Sequence, residues 1–171
     1  MPGKKIDSYA NIAAILVTES SAATQTSAKF AFPFSIMDKM ALVISRIEYM
    51  VAGLAALNGT GDFVTIALAA AASLAAMTVQ NDPLMIDSVR LERTDFGTAA
   101  SGVFLFQPFM KDFSQLAGGG IIVAPSPLYA VIQSSGGASA MNAWVRLYYT
   151  YIELATDEYW QLVESRRIIS S

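Results

Sequence analysis

The sequence predicts an all-β protein: an antiparallel β-sandwich of about eight strands, closed by a short C-terminal helix. Three observations carry this. Short apolar runs alternate at period two and are broken by Gly, Pro, Asn and Ser clusters. Asn142–Leu154 reads as one long aromatic strand. The segment from Ala155 to Arg167 reads as a single helix, and it fixes both the type of an element and its end.

The strands follow in order. Ala10–Thr18 places Ile12, Ala14, Leu16 and Thr18 on one face. Ser20–Ser27 is a connection rich in Ser, Thr and Ala. Phe30–Phe34 sets three aromatics on one face, and Pro33, with no N–H to donate, marks an edge or an end. Met37–Met40 is a turn or one helical turn. Ala41–Val51 is a strand with Val43, Ser45, Ile47, Tyr49 and Val51 on one face. Leu42, Ile44, Arg46 and Glu48 take the other. Gly53–Gly61 is a loop containing the turn signal Asn58-Gly-Thr-Gly61.

Phe63–Leu68 is the next strand, and Ala69–Met77 is a compact Ala-rich connection. The whole window Phe63–Gln80 carries no charge, and its length approaches a bilayer span. Ala is only weakly apolar, however, and Thr65, Ser73, Thr78 and Gln80 interrupt the run. A strand followed by a short buried helical turn is expected instead. Asn81-Asp82-Pro83 breaks the chain before a strand over Leu84–Asp95. Phe96–Gly102 is a loop, Val103–Phe106 a strand, and Phe109–Gly120 a loop that closes in three glycines. Ile121–Gln133 is strand-like but split by Pro125 and Pro127, which predicts a bend or an edge. Ser134–Ser139 is the turn into the aromatic strand.

On that last strand Trp144, Arg146, Tyr148 and Ile152 share one face, and Tyr149 and Tyr151 share the other. Large groups on both faces predict burial on both sides, by packing and by subunit contact. The helix over 156–167 has its own mechanics. Thr156 is expected to cap it. Asp157 and Glu158 in the first turn, and Arg166 and Arg167 in the last, complement the helix dipole. Tyr159, Leu162 and Val163 fall at i, i+3 and i+4 and form an apolar face to lay on the sheet.

The 171 residues suit one domain, 1–171, with 1–9 as an N-terminal arm. The absence of Cys and His removes disulfides, thiolate and imidazole chemistry, and nearly all zinc or haem ligation. Hydrophobic residues make up 54% and charged residues 15%, too few charges to cover the surface of a solitary domain. Burial against other subunits is the expected reason. Net charge is −3, and the adjacent basic pairs are Lys4-Lys5 and Arg166-Arg167. Counterion release needs clustered cations, so direct nucleic-acid binding is not expected.

No residues point to catalysis. A Ser–Lys pair involving Lys29, Lys39 or Lys111 has no supporting spacing. Asp82 with Asp87, or Glu153 with Asp157 and Glu158, have the residue types for acid–base work. Helix-end charge accounts for Asp157 and Glu158, and a turn before Pro83 accounts for Asp82. Gly118-Gly119-Gly120 lacks the Lys-Ser/Thr and the helix of a phosphate loop, so it reads as a flexible turn. Trp144 and Tyr148 have the ring faces to stack a sugar, which leaves a glycan-binding sandwich as the alternative to subunit packing.

Val145-Arg-Leu-Tyr-Tyr-Thr-Tyr-Ile-Glu-Leu154, followed by the Thr-Asp-Glu helix and Arg166-Arg167, resembles the C-terminal end of single jelly-roll capsid proteins of small icosahedral viruses and phages. Ala41-Leu-Val-Ile-Ser-Arg-Ile-Glu-Tyr49 is similar to an early strand of the same proteins. The resemblance implies a non-enzymatic virion shell subunit with no cofactor. Its partners would be other copies of itself and other virion proteins. Trp144, Arg146, Tyr148, Tyr159, Trp160, Arg166 and Arg167 are the candidate contact or ligand residues. Loops Gly53–Gly61, Phe96–Gly102 and Phe109–Gly120 would join them. Capsid proteins that condense a genome often carry a long basic arm, and here only Lys4 and Lys5 are available. Another layer, such as an internal membrane or a second protein, would then lie between shell and genome.

Overall fold

A computed structural model describes residues 4–5, 10–33, 39–54, 57, 59, 61–93, 108–124 and 127–168; the side chains of residues 4, 5, 78 and 165–168 are left aside. The strands are β1 (Lys4–Lys5), β2 (Asn11–Thr18), β3 (Thr26–Lys29), β4 (Met40–Ala52), β5 (Phe63–Ala69), β6 (Met85–Glu92), β7 (Phe109–Asp112), β8 (Ile121–Val123), β9 (Tyr129–Ser135) and β10 (Asn142–Glu153). Helix α1 spans Thr156–Ile168. Two antiparallel sheets form a sandwich. In the first, β10 and β4 are central; β2 and β1 line the free side of β10, and β7 and β8 line the free side of β4. The second has the order β3-β9-β5-β6. Chain-consecutive strands mostly alternate between the sheets, which is the jelly-roll connection.

Leu42, Ile44, Ile47, Tyr49 and Val51 of β4 meet Ala143, Val145, Leu147, Tyr149 and Tyr151 of β10 on the inner face. Val64, Ile66 and Leu68 of β5 and Ala130 and Ile132 of β9 close the core from the other sheet. Strict alternation along β4 fails at one point. The pairing slips between Tyr148 and Tyr149, so that Tyr148 faces Arg46 while Tyr149 faces Ile44. Ser45 is the extra residue of a β-bulge, and it donates its hydroxyl to the Tyr148 carbonyl at 3.2 Å. Leu42 and Ile44 therefore share the core with Ile47 and Tyr49, and Val43 turns outward. One inserted residue swaps the faces of half the strand.

Other expectations are also corrected. Thr26 and Ser27, expected to end a connection, instead open β3, which pairs with β9, and Phe30 and Phe32 pack on the core just beyond it without joining a strand. Phe109–Asp112, read as loop, pairs with Arg46–Tyr49 of β4. Ser134 lies inside β9 and not in a turn. The prolines do split Ile121–Gln133, and its halves join different sheets. The three glycines before β8 have separate reasons. Gly118 and Gly119 hold φ of +89° and +80°. A Cβ on Gly120 would press into the Ile44 carbonyl. The Phe96–Gly102 loop, the Val103–Phe106 strand and most of the Met37–Met40 turn lie outside the described residues.

Three polar devices hold the connections. The buried Glu19 carboxylate accepts from the Ser134 N–H (2.6 Å), the Ser134 hydroxyl (2.9 Å) and the Met141 N–H (3.0 Å). Asp82 accepts from the N–H groups of Ala75 (2.6 Å), Ala76 (3.3 Å) and Leu84 (2.8 Å). The Gln25 amide exchanges two hydrogen bonds with the Leu74 backbone, at 2.9 and 2.8 Å. Together the last two press the Ala-rich connection and its 3-10 turn, Met77–Val79, onto the outer face of the second sheet. There Leu74 and Met77 bury Ala67, Ala69 and Val131. No described helix is long and apolar enough to cross a membrane.

At the C-terminus the Ala155 carbonyl accepts from the Tyr159 N–H at 2.9 Å, so Ala155 is the N-cap and Thr156 the first helical residue. Glu158 reaches back to the Ala155 N–H at 3.1 Å, the acidic half of a capping box. Tyr159 is buried, and Leu162 packs on Ala41, Val43 and Ile152. The helix thus covers one end of the first sheet's outer face.

Candidate functional site

Among the described residues, nothing covers the rest of that outer face. Its side chains stand in rows set by strand pairing. Trp144 lies between Leu16 and Met50, Arg146 between Ala14 and Glu48, and Tyr148 between Ile12 and Arg46. Strand β7 extends two rows, placing Met110 beside Glu48 and Asp112 beside Arg46. Ile12 is 60% exposed, Leu16 48%, Met50 45% and Met110 54%, values that belong to uncovered apolar side chains. The β2 and β10 alternation makes the face. Ala13, Ile15 and Val17 turn inward, and the residues between them turn out.

The charges among these apolar groups are paired in place. Arg146 meets Glu48 at 3.2 Å, and Arg46 meets Asp112 at 3.9 Å. The Arg46 guanidinium also lies 5.3 Å from the centre of the Tyr148 ring, within cation–π range. The Tyr148 hydroxyl, and after it the Glu48 carboxylate, raise the pKa of Arg146. Ser114, through its hydroxyl and its N–H, and more weakly Arg46, lower that of Asp112. Arg46 and Arg146 balance Glu48 and Asp112, so the face as a whole is close to neutral.

Trp144, Arg146 and Tyr148 are therefore brought together on one surface, as their period-two spacing predicts. Tyr159 is not on it; the ring is buried under α1. Trp160 is half exposed on the helix, edge-on to Tyr159 with ring centres 6.1 Å apart. The side chains of Arg166 and Arg167 lie outside the described residues. Leu16, Met50 and Met110 were missed as site residues. Their signal was cross-strand register, which a single strand read alone does not contain.

Of the carboxylates weighed for acid–base chemistry, Asp82 and Asp87 are engaged in holding the fold. Asp82 is consumed by three backbone N–H groups. Asp87 accepts from the Tyr49 hydroxyl and from Lys111 Nζ, both at 2.8 Å, and Lys111 also donates to the Ser88 carbonyl at 2.6 Å. This trio ties β4 and β7 of one sheet to β6 of the other, beside an open polar pocket of about 320 Å³ lined by Gln80, Asp82, Asp87 and Lys111. Burial, then the Asp87 charge, pushes the Tyr49 phenol well above its ordinary pKa. Among the described residues no cluster of acidic groups is arranged to hold a metal ion.

The architecture and connectivity are those of a jelly roll, a fold this chain shares with solved viral capsid proteins. Merkel cell polyomavirus VP1, solved as an unassembled pentamer, superposes with a TM-score of 0.56 at 6% identity, over 91% of this chain and 99% of that one. Chimpanzee polyomavirus VP1 in its apo form gives 0.53 at 6% identity, over 91% and 99%. Merkel cell polyomavirus VP1 in complex with GD1a oligosaccharide gives 0.53 at 7% identity, over 89% and 98%. No family model and no curated protein sequence matches the chain.

Proposed function

We propose that this chain is a capsid shell subunit, resident in the virion, that assembles through contacts between copies and performs no chemistry. One observation carries the reading: a jelly-roll sandwich that leaves large apolar side chains, Ile12, Leu16, Met50 and Met110, uncovered on the outer face of one sheet. The low charge content agrees with it, because surface that meets neighbours needs few solvated groups. Trp144, Arg146, Tyr148 and Trp160 are the contact residues on the described surface, with Arg166 and Arg167 proposed beside them. Other virion proteins are proposed as further partners, and an internal layer or membrane is proposed beneath the shell.

The test is particle size of the purified protein, by light scattering and negative-stain electron microscopy. Uniform closed particles are expected. A monodisperse small species at high concentration would overturn the shell reading. The alternative is a glycan held on the Trp144/Tyr148 face. Its support is the aromatic pair itself and the GD1a-bound VP1 of the same fold. Glycan-array binding lost in Trp144→Ala, with folding intact, would establish it.

A further inference from the structure

The open sheet face matches itself. On it, each cation of β10 and β4 has an anion or a ring as its lateral neighbour across the two strands. Arg146 pairs with Glu48, Tyr148 with Arg46, and Trp144 with Met50. Consider a two-fold axis lying in the plane of contact, parallel to the strands and midway between β10 and β4. It sets β10 of one copy over β4 of the other at the same height. Arg146 then faces the second copy's Glu48, and Glu48 faces the second copy's Arg146. Tyr148 faces Arg46, Trp144 faces Met50, and the small Ala14 faces the long Met110. Ile12 and Asp112 meet at the rim, where water remains.

We propose that this face docks a second copy of the chain, sheet on sheet, about such an axis. The contact is isologous, so each charge pair occurs twice. Sheets packed this way lie about 10 Å apart with strands turned by about 30°. The central rows near the axis tolerate that rotation best. Each ion pair within a copy becomes part of a four-membered alternating cluster, so no charge is buried without a partner. The face covers only about 13 Å along the strands at ~3.3 Å per residue. A stable interface needs roughly 800 Å² per partner. The dimer is therefore reversible and driven by concentration.

This inference rests on the contact face of the shell reading and is tested on the full chain by sedimentation. Wild type is expected to show a concentration-dependent monomer–dimer equilibrium, or larger assemblies built from it. Arg146→Glu alone and Glu48→Arg alone each place like charges in opposition across the axis. Each is expected to weaken association by on the order of tenfold or more. An equimolar mixture of the two variants is expected to associate again, because an all-acidic pair then faces an all-basic one. A merely structural role for the Arg146–Glu48 pair predicts no rescue by mixing. Thermal melts of each variant check folding. Shells or dimers indifferent to both reversals, or a mixture that stays dissociated, would overturn the face contact and leave the shell reading standing. Rescued dimers that never close into particles would do the reverse. Glycan binding without self-association would overturn both.

Discussion

Tyr49 shows how one side chain links the two sheets. Its ring is fully buried in the core, yet its hydroxyl donates to Asp87 across the sandwich edge. Tyr49→Phe keeps the ring and deletes that bond to a charged acceptor, which Lys111 also holds. A loss of about 1.5–3 kcal/mol at neutral pH is expected from urea denaturation. The pH dependence has a definite sign. The folded-state pKa is raised above the ordinary value near 10, so the unfolded chain gives up this proton first. The stabilisation is complete below pH 10 and drains away as pH rises from there toward the folded value. Melting curves between pH 9 and 11 should show a steeper alkaline decline in wild type than in Tyr49→Phe. Equal slopes would mean that the phenol is not protected.

At the scale of elements, the connection between β5 and β6 is held by side chains more than by its own propensity. Ala-rich sequence of this length is readily helical, and helix is what composition favours. The Asp82 carboxylate instead collects three backbone N–H groups and folds the segment flat over Ala67 and Ala69. Removing it takes a charged acceptor from three part-buried donors, a loss of about 1.5–3 kcal/mol. In Asp82→Ala, limited proteolysis is expected to cut first between 70 and 80 while β4 and β10 stay protected. Uniform loss of protection would mean that the connection and the sandwich unfold as one unit. Helix α1 lies where its pattern predicts, with Tyr159 and Leu162 on the covered side, but its N-cap is Ala155, one residue before Thr156. Ala155 has no side-chain acceptor to offer, and Glu158 accepts from the Ala155 N–H instead.

For the molecule as a whole, the two outer faces differ in kind. The Ala-rich connection covers Ala67, Ala69 and Val131 of the second sheet. Among the described residues, α1 covers the first at the Ile152 end, and the remainder presents apolar side chains and paired charges to solvent. Exposed apolar groups of this kind contribute little to folding, so polar replacements there should be nearly silent in the monomer. Leu16→Ser with Met50→Ser is expected to stay within about 1 kcal/mol of wild type, given the small effects usual for surface changes. The same variant is expected to lose self-association in light scattering. A large drop in stability would mean that these residues belong to the core, and retained assembly would place the contact elsewhere.

The amino-acid sequence by itself determined the all-β class, the long C-terminal strand, the terminal helix and the face shared by Trp144, Arg146 and Tyr148. These depend on period-two and period-3.6 patterns, which are local and survive in a single segment. Only the tertiary structure decided the Ser45 bulge, the pairing of Thr26–Lys29 and Phe109–Asp112, the flanking of Trp144 by Leu16 and Met50, and the place of Met110 beside Glu48. Short edge strands have too few residues to show a period, and they become strands because a partner offers its backbone. A bulge leaves no mark in one strand, because it is a mismatch between two. The β2 residues 12–17 are apolar on both faces, so alternation there could not say which side meets the core. The second sheet settled that, by burying one side and leaving the other exposed.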